Sequence, residues 1–231
     1  MRLARVPSSG HSVLMRLGGS SDPEVFDAIF IEQILSEIAS RTQSARVIVD
    51  LGANVGYSSV FFLNAFPDAF VLAVEPDPNN AYICAQNLAA YGPRARIVEA
   101  AIWDRSTRLS LSRGAFRDGR EWATQVAPTS DLENADVEAI DMPTVLKMCP
   151  KPIIDILKID IEGAEATLFN MDAKRWLKFV RNFCVEIHSA EAESKVLKAL
   201  QDFDFQYIQC GEYNVYLDLR LKENPAAHTV H

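Results

Sequence analysis

The chain has 231 residues, 48% of them apolar, and a formal net charge of −8. That length suits one α/β domain with a small appendage, and the apolar share is enough for a sizeable core. The acidity works against attraction to phosphate backbones, so no nucleic acid partner is expected.

Four cysteines, Cys84, Cys149, Cys184 and Cys210, lie far apart without a CxxC pair. Such spacing argues against a zinc site or a dense disulfide scaffold, and Cys84 and Cys184 read as buried free thiols. No apolar run reaches the ~18 residues that span a bilayer, and the basic N-terminus lacks the apolar stretch of a signal peptide. The expectation is a cytoplasmic chain with no membrane partner; its oligomeric state is not readable.

Residues 1–45 read as an N-terminal arm and helix. The first part is Gly/Ser-rich and forms either a short hairpin or a loose arm. Asp22 with Pro23 then reads as a helix N-cap and first position, with the helix running to about Ser40. Residues 46–220 read as the main domain. A buried strand at Arg46–Leu51, a helix at Tyr57–Phe66, a strand at Phe70–Val74, a helix at Pro78–Tyr91 and a strand at Ala95–Ile102 follow in turn. Strand alternating with helix is the pattern of a parallel sheet with crossover helices.

Residues 104–140 break that rhythm with short alternating pieces, a β-rich insert expected as a hairpin or edge extension. A short helix at Met142–Met148 and a strand at Ile153–Ile159 come next, with a helix starting at Ala164–Phe169. A strand at Phe179–Ile187, a helix at Glu191–Phe203 and a closing antiparallel pair at Phe205–Ile208 and Asn214–Leu219 complete the domain. Residues 221–231 read as a mobile tail.

Ligands of open α/β sheets sit past the carboxyl ends of the strands, where strand order reverses. Four polar clusters fall there: Asp50 to Gly56, Glu75 to Asp77, Asp160 to Glu165, and Glu186 to His188. In "VIVDLGANVGYSS", Gly52 and Gly56 allow a sharp turn and close approach to a ligand. Asn54 stands where a dinucleotide-binding turn needs a second glycine, which weakens a nicotinamide cofactor. The turn suits S-adenosyl-L-methionine, which carries no phosphate and whose cationic groups favour carboxylate neighbours. Glu75 ends the next strand where a carboxylate accepts both ribose hydroxyls, with Pro76 stiffening its turn. Ala101 and Ile102 offer a small apolar surface for an adenine face. Each residue also has a plainer reading: Asp50 as a helix cap, Glu75 as an ordinary strand-ending acid.

In "ILKIDIEGAE", alternation puts Lys158, Asp160 and Glu162 on one side of an extended backbone. Three charges in an apolar strand need partners, and Lys158 either pairs with a carboxylate inside the domain or serves the site. Asp160 meets the cofactor edge. In "VEIH", Glu186 and His188 share a side, and a near-neutral histidine is a base for a hydroxyl. Asp160, Glu186 and His188 would alternatively hold a divalent metal, although the spacing alone does not support one and no metal ligand is assigned. His11, His228 and His231 lie in terminal segments without a role.

The ordered set "VIVDLGANVGYSS", "AVEPDPNN", "VEAAIWDRST", "VEAIDMPTVL", "LKIDIEGAE" and "VEIH" resembles the FkbM family of S-adenosylmethionine-dependent methyltransferases, from about Arg46 to His188. The resemblance implies a Rossmann-like, seven-stranded, mostly parallel sheet with an antiparallel last strand and helices on both faces. It implies a donor held by Asp50, Gly52, Asn54, Gly56, Tyr57, Ser58, Glu75, Pro76, Ala101, Ile102 and Asp160. It also implies methyl transfer, most often to oxygen, on a small-molecule, sugar or natural-product acceptor. Asp160, Glu162 and His188 are the expected catalytic residues. The segment Trp122-Ala123-Thr124 lies where such enzymes contact the acceptor; Trp122 and Trp103 either stack on a ring or pack internally. Rival readings are a nicotinamide-dependent oxidoreductase and a non-catalytic binding protein that kept the fold.

Overall fold

The computed structural model describes residues 1–7, 9–112, 125–129 and 135–223. The expected contact of Trp122 and the residues after Glu223 lie outside that set.

The chain opens with a hairpin, β1 (Arg2–Arg5) against β2 (Ser12–Met15). The single helix expected at 22–40 is instead broken. It comprises α1 (Asp22–Phe26), a π turn (Asp27–Ile31) and α2 (Ser36–Arg41). The π turn closes through the Glu32 N–H to the Asp27 carbonyl at 2.9 Å, and Gln33 then adopts φ 55. There the hydrogen bond spans five residues instead of four, which shifts the register of the apolar face. Asp22 is not the N-cap either. Its carboxylate accepts from the Arg16 backbone N–H (2.7 Å), Nη2 (2.7 Å) and Nε.

The central sheet uses β3 (Val47–Leu51), α3 (Tyr57–Ala65), β4 (Phe70–Glu75), α4 (Pro78–Leu88), a 3-10 turn (Ala89–Arg94) and β5 (Ala95–Glu99). The strand expected at 95–102 splits at Ala100, whose N–H turns to the Glu75 carbonyl (3.1 Å). Its remainder, β6 (Ala101–Ile102), joins a second sheet with β7 (Thr107–Ser112), β8 (Gln125–Pro128) and β9 (Val137–Ile140), in the order β6-β9-β7-β8. The insert is therefore a small sheet of its own, neither a lone hairpin nor an extension of the main edge.

Then follow α5 (Met142–Met148), β10 (Ile154–Ile159), the single turns α6 (Glu165–Leu168) and α7 (Lys174–Leu177), and β11 (Val180–Glu186). Helix α8 (Ala190–Ala199), β12 (Phe203–Cys210) and β13 (Tyr213–Leu221) end the fold. The helix expected to reach Phe203 stops earlier because Phe203 enters β12, opposite Leu221.

The seven strands run β12-β13-β11-β10-β3-β4-β5, all parallel except β13, which is antiparallel to both neighbours. Alternate side chains of β3 explain the two-sided core. Ile48 packs into one cluster with Val60, Phe62 and the N-terminal Phe26 and Ile29, while Val47, Val49 and Leu51 pack into the other with Val145, Phe169 and Val196. Chain order leaves β3 for β4 on one side and returns to β10 on the other. The carboxyl ends of β3 and β10 are thus the switch point at which a ligand crevice opens. Among the described residues, no helix is long and apolar enough to cross a membrane.

Candidate active site

The turn after β3 is built by three left-handed residues, Gly52 (φ 73), Asn54 (φ 50) and Gly56 (φ 85). The glycines were expected to make room for a ligand, but protein crowds both first. A Cβ at Gly52 would overlap the carbonyl oxygen of Asp160, and one at Gly56 would lie 2.7 Å from Cys84 Sγ. Gly52 nevertheless lines the cavity, as do Asn54, Tyr57 and Ser58. The Asn54 N–H donates to Glu75 Oε2 at 2.8 Å, while its own Oδ1 is buried without a partner. Tyr57 donates its hydroxyl to the Leu14 carbonyl (2.8 Å), pinning the hairpin to the head of α3.

Glu75 sits at the tip of β4, as expected. Its Oε1 accepts from the Asp77 N–H (3.0 Å) and Asn80 Nδ2 (3.3 Å), so part of its accepting capacity is already used. Burial raises its pKa from 4.5 to about 7, against the lowering effect of the Asp77 and Asn54 N–H groups and of Asn80. Pro76, Ala100, Ala101 and Ile102 form the adjoining wall.

Asp50 lies behind the cavity: its side chain is fully buried and absent from the cavity surface. Ser58 and Ser59 donate to its Oδ2 at 2.5 and 2.6 Å, and Lys158 Nζ lies 3.3 Å from its Oδ1. These contacts tie it to the start of α3 and to β10. Gly56 is likewise absent from the cavity wall.

Lys158 also donates to the Gly52 carbonyl (2.7 Å) and lies 3.5 Å from Asp160 Oδ2. Burial opposes its charge, but Asp50 and Asp160 outweigh that and raise its pKa. Asp160 follows β10 with Oδ2 accepting from the Tyr213 hydroxyl (3.2 Å) and Oδ1 buried without a hydrogen-bond partner. Burial raises its pKa, Lys158 lowers it, and Glu186 raises it again.

Glu162 does not continue the alternation of Lys158 and Asp160. β10 ends at Ile159, Glu162 adopts φ 50, and Gln125 Nε2 holds its carbonyl at 3.0 Å. Its Oε2 faces His188 Nε2 at 3.5 Å. His188, with a side chain 3% exposed, has Nδ1 2.9 Å from Glu165 Oε1 and Nε2 3.1 Å from Glu186 Oε1. Burial favours the neutral ring, but the hydrogen bond to Glu165 and the nearby Glu186 carboxylate outweigh it and raise the pKa to about 10. The ring therefore binds its proton more tightly than the near-neutral base expected at His188, and it is absent from the cavity wall.

Sequence reasoning missed the roof. Glu24, Val25, Ala28, Ile29 and Ile34 close the cavity from above, and Glu212 and Tyr213 close it from the β12–β13 turn. Their apolar periodicity looked like ordinary core packing. The one signal available was Arg16, a lone cation before an acid-rich helix start, whose Nη1 donates to Asn80 Oδ1 at 2.9 Å.

The cavity thus offers a buried carboxyl at one end, orphaned acceptors at Asn54 Oδ1 and Asp160 Oδ1, and further carboxylates at the other. Lys158 is the one Lys or Arg side chain on its wall among the described residues, and it is spoken for by Asp50 and Asp160. Such a lining fits a ligand with hydroxyls and cationic groups and offers no cradle for a pyrophosphate.

Comparison with known proteins agrees with that chemistry. The "2-O-methyltransferase NoeI" of Sinorhizobium fredii is 32% identical over 135 residues, 52% of this chain and 54% of that protein. The "Methyltransferase sdnD" of Sordaria araneosa is 28% identical over 172 residues, 60% of this chain and 65% of that one. The chain therefore spans a little over half to about two thirds of the length of these curated relatives. Among solved structures, the METTL16 MTase domain superposes with a TM-score of 0.50 at 12% identity, covering 94% of this chain and 75% of that one, a likeness of fold alone. The family described as "Methyltransferase FkbM domain" matches residues 50–207, from the carboxylate beneath the glycine turn to β12, and the chain belongs to that family.

Proposed function

We propose that the protein transfers a methyl group from S-adenosyl-L-methionine to a hydroxyl of a small-molecule acceptor, such as a sugar or natural product. The observation that carries the reading is one cavity at the switch point with Glu75 at one end and the orphaned Asp160 Oδ1 at the other. Glu75 and the Asn54 backbone take the ribose, Pro76 and Ala100–Ile102 take the adenine, and Asn54 Oδ1 receives a donor hydrogen of the amino acid portion. Asp160 faces the junction between donor and acceptor and orients the hydroxyl that attacks. The new C–O bond forms as the S–C bond breaks, the electron pair going to sulfur and the hydroxyl proton leaving to water. The protein's contribution is alignment and exclusion of water beneath the roof. The similarity to a protein named as a 2-O-methyltransferase supports oxygen as the atom methylated.

Calorimetry with S-adenosylhomocysteine tests donor binding, and mass spectrometry of a cell extract incubated with labelled donor tests transfer. Saturable binding and a product heavier by one methylene support the reading. A protein that ignores the thioether would sink it.

A further inference from the structure

Asp160 follows β10, Glu186 closes the neighbouring β11, and His188 lies just beyond. One ligand atom from each lies within 4.8 Å of the others. Acidic side chains at a strand edge are commonplace, but this group contains a buried imidazole held in a particular way. His188 Nδ1 is fixed by Glu165, whose side chain is fully buried and whose Oε1 also accepts the N–H groups of Gly163 (3.2 Å) and Ile161 (3.4 Å). Metal-bound histidines are oriented this way, through the ring nitrogen that faces away from the ion. The other nitrogen, Nε2, is buried, turned toward Glu186 and Glu162, and makes no aligned hydrogen bond. Asp160 Oδ1 is a second buried atom without a partner in the same cluster. Two orphaned ligand atoms converging on one point call for an occupant.

From this geometry we infer that Asp160, Glu186 and His188 hold a divalent cation at the acceptor end of the cavity, with an acceptor hydroxyl as a further ligand; the entering ion takes the place of any proton on Nε2, which leaves to water. Two carboxylate oxygens and one imidazole nitrogen suit manganese or a similar first-row ion. The set lacks the all-oxygen shell of calcium and the thiolates of copper(I). The inference rests on the methyl-transfer reading and deepens it, for the ion would acidify the attacking hydroxyl. A hydroxyl on a divalent cation loses its proton far more readily, and that proton passes to water at the mouth, where Asp160 is 24% exposed. The oxygen then forms its bond to the methyl carbon as sulfur takes the S–C electron pair. The cation is neither oxidised nor reduced.

The probe is Mn2+, followed by loss of its free electron paramagnetic resonance signal on titration into the full chain with and without S-adenosylhomocysteine. One saturable site per chain is expected. Glu186→Gln, at a side chain 12% exposed, should weaken Mn2+ at least tenfold while S-adenosylhomocysteine affinity stays within about threefold. Glu165→Gln, which frees the ring without touching the ion, should weaken it by a smaller factor. Circular dichroism melts confirm that each variant folds. No saturable Mn2+ binding by a wild-type chain that binds S-adenosylhomocysteine would overturn the ion site alone, as would Glu186→Gln binding Mn2+ like wild type. Saturable Mn2+ without S-adenosylhomocysteine binding would uphold the ion and overturn the donor reading.

Discussion

Lys158 and Asp50 are register partners on adjacent parallel strands, and their side chains meet beneath the glycine turn, Nζ to Oδ1 at 3.3 Å, with neither more than 4% exposed. A single ammonium thereby ties together the end of β3, the Gly52 carbonyl and Asp160.

Removing the ammonium strands a buried carboxylate. Lys158→Met should destabilise the fold by ~3–5 kcal/mol, because it removes the buried cation that lies between Asp50 and Asp160. The double variant Lys158→Met with Asp50→Asn should recover part of that loss. Urea denaturation of the three proteins checks both statements; equal midpoints for wild type and Lys158→Met would contradict the first.

Glu75 makes donor binding depend on pH. The free protein holds its proton with a pKa of about 7 against an ordinary 4.5. The folded state thus binds the proton more tightly than the unfolded state. This contribution to stability is present below the ordinary pKa and fades as pH rises toward about 7. Ribose hydroxyls need the ionised acceptor, so affinity for S-adenosylhomocysteine should rise roughly tenfold between about pH 6 and pH 8. Calorimetry across that range checks it, and Glu75→Gln should bind weakly with a flat profile.

Gly52→Ala should cost at least ~2 kcal/mol and abolish donor binding. The left-handed backbone is strained for alanine, and the new Cβ would meet the Asp160 carbonyl, which belongs to a packed strand end and has nowhere to retreat. A thermal melt with and without S-adenosylhomocysteine measures both losses.

Asp160→Asn should lower turnover by ~100-fold while donor affinity shifts by less than about threefold, since the change falls on the oxygen pair facing the acceptor. Single-turnover methyl transfer beside calorimetry separates the two effects. Unchanged turnover would remove Asp160 from the reacting end.

Arg16 fastens the roof, joining Asp22 of α1 to Asn80 of α4. Arg16→Ala should weaken S-adenosylhomocysteine roughly tenfold, chiefly through faster dissociation, with transfer at saturating donor little altered. Stopped-flow release of a fluorescent donor analogue reads the rate directly.

The β-branched runs at Val47–Leu51 and Ile154–Ile159 were legible because strands buried on both faces read as unbroken apolar segments. Acids placed at their ends could be assigned to one edge from chain order alone. Protonation was not legible in the same way. His188 is flanked by Glu165 and Glu186, which raise its pKa, and Glu165 comes from another element. Asp50 looked like a ligand contact in one dimension, whereas the register that sets Lys158 opposite it appears only when β10 pairs with β3. The break in the first helix comes from a π turn, whose i→i+5 bond sets no distinctive residue types that mark it in the sequence.

The cavity's ceiling, from Glu24 to Ile34, precedes the segment shared with the FkbM family, while the glycine bend and the strand-tip acids lie inside it. Divergence can therefore reshape which acceptors enter without disturbing the grip on the nucleoside, much as a key blank is recut while its bow stays the same. Grafting another member's first 45 residues onto this chain would therefore move acceptor selectivity, and would keep donor affinity only if the graft retains the tie that Arg16 makes to Asp22 and Asn80.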